Sequence, residues 1–161
     1  MKAIVPTLLA LGLLAATPAA SADADAVTGV WLTAAGDGYV QVFEEAGRYH
    51  GKTVGAPPGE GNPDATDEHN PDPAKRDRNL LGIRLLKGFE YDGDGVWKGG
   101  RAYDPNNGKT YDAKMWLGDS DTLKLRGYIG VSLFGRTETW TRVGRDAEGI
   151  DESELVDGAG R

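Results

Sequence analysis

The placement of glycine constrains this chain most. All but one of its 24 glycines follow residue 22, and they divide the sequence into short runs of aromatic and β-branched side chains. Runs of that length and composition, bounded by glycine, read as strands joined by tight turns. Asp37-Gly38 between Trp31–Ala35 and Tyr39–Glu45 predicts a hairpin, and Ala46-Gly47 leads on to Arg48–Val54, giving a three-strand meander.

The second half alternates more clearly. Thr110–Leu117 sets Tyr111, Ala113, Met115 and Leu117 on one face and Thr110, Asp112, Lys114 and Trp116 on the other. Thr122–Tyr128 alternates Leu123 and Leu125 with Lys124 and Arg126. Arg136–Val143 opposes Thr137, Thr139, Thr141 and Val143 to Arg136, Glu138, Trp140 and Arg142. Val96–Tyr103 holds Trp97 and Tyr103 on one side and is broken by Gly99-Gly100, the mark of a bulge or barrel corner. Leu80–Phe89 is apolar but ambiguous in period. About eight short strands with no long helix predict an all-β barrel or sandwich.

Three segments fall outside this pattern. Met1-Lys2, the apolar run Val5–Ala16 and the small-x-small triplet Ala20-Ser21-Ala22 have the three regions of a cleavable signal peptide, residues 1–22. A membrane anchor is the alternative, but a spanning helix needs ~20 apolar residues and this run is shorter. The chain is therefore expected to be exported, periplasmic or secreted, and not membrane-spanning after cleavage. Gly55–Asn79 holds five prolines and little that is apolar, and reads as a long loop with one helical turn near Asp72–Arg78. Residues 144–161, with six acidic against two basic side chains, read as a disordered tail, which leaves 23–143 for the barrel.

Charge and composition exclude several functions. The formal net charge is −7, so nucleic acid and anionic lipid are poor partners. With no cysteine there are no disulfides, thiolate metal sites or cysteine nucleophile. The two histidines, His50 and His69, have no ligand spacing, and Asp64, Asp67, Glu68 and Asp72 read as a solvated acidic loop. Asp92-Gly93-Asp94-Gly95 lacks the ladder of a calcium loop. Ser120, Ser132 and Ser153 have no neighbouring His–acid pattern. No catalytic residue, metal site or cofactor is expected.

Taken together, several motifs resemble a family of small exported bacterial proteins with no assigned activity, described as lipocalin-like. They are Gly29-Val30-Trp31, Gly51-Lys52, Asn70-Pro71-Asp72-Pro73 with Arg76, Trp97–Pro105, Gly108–Tyr111, Leu123–Gly130 and Trp140–Val143. The resemblance spans most of 29–143 and implies a single antiparallel lipocalin-like (calycin-type) barrel with a long loop. It also implies a structural clasp, in which Trp31 of the first strand lies across the closed end under Arg142 of the last.

A barrel of about eight strands is either filled by side chains or holds one small ligand. On the ligand reading, Trp97, Tyr103, Tyr111, Met115, Leu123 and Leu125 line the interior around a small hydrophobic or amphipathic molecule. Arg126 would anchor a ligand carboxylate if its register turns it inward. Two other readings stand beside it. One is an envelope module that meets another protein through the long loop or through outward Trp116 and Trp140. The other is a hydrolase with an open barrel mouth.

Overall fold

In the computed structural model, which describes residues 24–158, the glycine-bounded runs become eight antiparallel strands. They are β1 (Gly29–Leu32), β2 (Tyr39–Glu45), β3 (Arg48–Gly55), β4 (Arg84–Tyr91), β5 (Val96–Asp104), β6 (Lys109–Asp119), β7 (Thr122–Tyr128) and β8 (Arg136–Val143). Each pairs with the next, and β8 returns to β1 through Val30–Val143, Trp31–Arg142 and Leu32–Thr141, closing the barrel and leaving no free edge. The expected leader at 1–22 lies outside the described residues, as does the end of the chain from 159.

Opposed residues share a face, so the register identifies the interior. Trp31, Trp97, Phe89, Leu86, Met115 and Leu123 are each at most 1% exposed and form one cluster with Val40, Val42, Tyr49, Ala113, Leu125 and Trp140. Burial of each large member stabilises the barrel by about 1.5–3 kcal/mol. The packing uses missing side chains: a Cβ on Gly100 would stand 2.4 Å from the Phe89 ring, and one on Gly51 would stand 2.8 Å from Leu86.

The bulge forecast at Gly99-Gly100 is present, and it reverses a face. Trp97 pairs with Met115 and Gly100 with Ala113, three residues along one strand against two along the other. Gly99 absorbs the extra residue at φ +72°, a backbone region that favours glycine. Trp97, Gly100 and Ala102 consequently point inward, and Tyr103 points out.

Two segments expected to be loose are folded onto the barrel. In the long connection between β3 and β4, a bridge between Thr66 and Asn79 and a one-turn helix at Pro73–Lys75 surround Asp67, which is fully buried. Asp67 accepts hydrogen bonds from Tyr103 Oη (2.5 Å), Asn70 Nδ2 (2.7 Å) and Arg78 Nη2 (2.7 Å), so it is a paired interior carboxylate and not a solvated one.

The acidic tail likewise departs from its expected disorder, at least to residue 158. Ile150 bridges Gly55, the Gln41 amide exchanges two hydrogen bonds with the Val156 backbone, and the Lys52 ammonium pairs with Glu154 at 2.5 Å. Ala147, Ile150 and Leu155 cover a second apolar cluster, Val30, Tyr39 and Val54, on the outer face of β1–β3. That outer patch supplies the burial which tail composition alone does not reveal.

Candidate functional site

The two ends of the barrel differ in how they are finished. One end is plugged by the turn Asp25–Val27, which runs into β1. Trp31 donates its indole N–H to Val27 O (3.0 Å) and Trp97 donates to Ala24 O (3.0 Å), while the Tyr49 hydroxyl donates to Asp25 (2.9 Å). Arg142 locks this end. Its Cζ stands 4.0 Å from the Trp31 ring centroid, and its guanidinium donates to Ser120 O, Thr28 O and Ala26 O at 2.7 Å each.

The other end collects the connections 33–38, 56–83, 105–108 and 129–135. There the inward row contains small residues: Ala102 pairs with Tyr111, and Ala113 with Gly127, which itself faces Arg136. Leu125 pairs with Glu138, which places that carboxylate on the inner face, where it accepts the Trp140 indole N–H (3.3 Å). Tyr111 and Glu138 remain partly exposed although both face inward, whereas Met115 and Leu123 beneath them are fully buried. Leu125, Ala102 and Trp140, the Tyr111 phenol and the Glu138 carboxylate thus share the inner face at this end, with exposed Arg136 at the rim, and together they make up the candidate cup.

The residues expected to line a cavity therefore separate into three sets. Tyr111 and Leu125 face the cup. Trp97, Met115 and Leu123 also point inward, but they are packed into the core below it. Tyr103 and Arg126 do not line the interior. The Gly99 bulge turns Tyr103 outward onto the long connection, where burial and the Asp67 carboxylate push its phenol up to about 12. Arg126 pairs with Thr137 on the outer face and bonds Ser132 O and Leu133 O.

The pair expected to anchor a partner also comes apart. Trp116 is on the outer face with Lys114 Nζ 6.0 Å from its ring centroid, but Trp140 is 4% exposed in the core. In the sequence Glu138 reads as solvent-facing because it alternates with Arg136 and Arg142, and only the pairing with Leu125 turns it inward. His50 faces outward, its ring centroid 5.9 Å from that of Phe43 and its Nδ1 accepting the Gly88 N–H at 3.3 Å. Among the described residues, no group of three or more His, Asp or Glu side chains could hold a metal ion.

Residues 29–142 match a bacterial family described as uncharacterized protein conserved in bacteria (DUF2147). Among solved structures, the HP1028 protein of Helicobacter pylori, described as belonging to the lipocalin family, is similar with a TM-score of 0.65 and 26% identity. The likeness covers 73% of this chain and 83% of that one. No curated protein matches the chain.

Proposed function

Because the chain belongs to this family of uncharacterized bacterial proteins and closes as a lipocalin-like barrel, we propose that it binds a small hydrophobic or amphipathic molecule in the cup. The observation that carries the proposal is the contrast between the two ends. A plugged and clasped base supports a mouth whose inward residues Tyr111 and Glu138 still meet solvent. Concave sites of this kind combine apolar walls with a few polar groups that fix orientation. In this arrangement an apolar group rests on Leu125 and Trp140, and a hydrogen-bond donor meets Glu138. The floor of packed Trp97, Met115 and Leu123 limits the ligand to the upper barrel.

The same proposal places the protein outside the cytoplasm, in the periplasm or the medium, on the strength of the leader pattern at 1–22. The intact mass of protein recovered from the periplasm checks this, with cleavage after Ala22 expected.

Binding is tested by native mass spectrometry of that protein, followed by titration with N-phenylnaphthylamine, a fluorescent amphiphile. A stoichiometric adduct lost on denaturation, or saturable probe enhancement competed by an extracted lipid, is the expected result. Bare polypeptide together with no saturable enhancement would reject the proposal.

A further inference from the structure

We propose that the β7–β8 connection, Ile129–Gly135, seats the mouth of the barrel on a phospholipid surface. Ile129, Val131, Leu133 and Phe134 are 73, 58, 79 and 81% exposed, and they are the large hydrophobic side chains left exposed among the described residues. Four such side chains in one short loop form a contiguous apolar tip, which ordinary surfaces seldom leave in water.

The loop is braced with its apolar groups outward. Arg126 reaches from β7 to donate Nε to Ser132 O (2.7 Å) and Nη2 to Leu133 O (3.1 Å), and Nη1 to Thr137 Oγ1 (2.8 Å). Within the turn, Phe134 N–H bonds Val131 O and Gly135 N–H bonds Ser132 O. These bonds matter for a lipid contact because an unsatisfied peptide group entering the acyl boundary carries its full desolvation penalty. Here the Val131, Ser132 and Leu133 carbonyls are already satisfied by the chain itself.

Charge selects the occupant. From Thr122 to Thr137 the sequence contains Lys124, Arg126 and Arg136 and no carboxylate, within a chain of net charge −7. An apolar tip with one exposed cation beside it is the interfacial pattern, side chains entering the acyl boundary while the Arg136 guanidinium meets a headgroup phosphate and Arg126 holds the loop in shape. Tyr128 at the neck occupies the depth that aromatic rings favour. The net acidity of the body confines contact with a bilayer to this tip. The acidic connection 56–83 is rooted on β3 and β4, four strands round the ring. The contact stands on the loop alone; only its corollary, that an amphiphile enters the cup from the bilayer, rests on the binding reading above.

Flotation of periplasm-purified protein with vesicles of the zwitterionic lipids phosphatidylcholine and phosphatidylethanolamine tests the contact. Wild-type protein is expected to float, and Leu133→Ser/Phe134→Ser to lose at least about tenfold in partitioning, from the apolar burial removed. Phe134→Trp should shift its emission to the blue on vesicle addition, a readout independent of any folding defect in the double variant. N-phenylnaphthylamine titration of the double variant, without vesicles, reads the cup separately. The contact is overturned if wild-type protein stays in the dense fraction, if the double variant floats equally, or if Phe134→Trp emission does not move. It is equally overturned if the double substitution dissolves a wild-type dimer without changing flotation, since a second copy would then cover the loop.

Discussion

Arg142 joins three parts of the chain through one side chain: the Ala26–Thr28 entry, the Ser120 turn and the Trp31 ring. Its removal strands three carbonyls and a cation–π contact, so Arg142→Ala should cost about 3 kcal/mol in urea unfolding. Arg142→Lys should recover only part of this, because an ammonium cannot reproduce the planar fork. Gly29 belongs to the same device: its φ is +132°, and a Cβ there would stand 2.5 Å from Arg142 Nη1, so Gly29→Ala should weaken the clasp as well. Asp67 yields a pH prediction. Burial opposes its charge, but bonds from Tyr103, Asn70 and Arg78 outweigh burial and hold its carboxyl below the ordinary range. A depressed carboxyl contributes stability above its unfolded value, about pH 4, and loses it as pH falls through the folded value. Wild-type stability should therefore fall more steeply than that of Asp67→Asn below about pH 4, as followed by urea midpoints across pH. Equal slopes would show that the pairing adds nothing. Composition could not reveal this carboxylate, which in sequence is one acid among many in a proline-rich loop. Only the fold brings Tyr103 to it.

The C-terminal segment acts as a strap at the scale of elements. Ending the chain at Gly144 would expose Val30, Tyr39 and Val54 and leave the buried Gln41 amide without the Val156 backbone. The truncated protein should lose about 3 kcal/mol and gain amide exchange in β1–β3; unchanged stability would contradict the packing. Sequence periodicity locates β5–β8 well because those strands alternate with one face in a core. It fails where a second surface is covered. Val30, Gln41 and Val54 are outer-face residues that the strap buries, so β2 reads as buried on both faces. In β8 the alternation is right and its sense is inverted: the threonines face solvent, while Arg136 and Glu138 face a wet mouth and Trp140 the core. Polar side chains at an open barrel end imitate a solvent face, and a one-residue bulge at Gly99 reverses Tyr103 for a related reason, since period two has no memory across an inserted residue.

Across the whole molecule the barrel divides its work between its ends, the clasped base supplying stability and the mouth supplying recognition. Closure was legible because short alternating strands without a helix must resolve their edges, whereas the depth of the cavity depends on which large side chains converge, which no strand shows alone. The division has a measurable consequence. Met115 is fully buried below the cup, and Met115→Ala should cost about 2–5 kcal/mol in unfolding free energy as the packed floor opens. N-phenylnaphthylamine affinity, measured where that variant is still folded, should stay within about twofold, because the floor is not the contact surface. Glu138→Gln should do the reverse. Gln keeps an acceptor for the Trp140 indole, so stability should change by less than about 1 kcal/mol, while the N–H of N-phenylnaphthylamine loses a charged acceptor and the probe binds several-fold more weakly. If Met115→Ala instead weakens binding and Glu138→Gln leaves it intact, the ligand lies deeper than the cup and the packed interior must open to admit it.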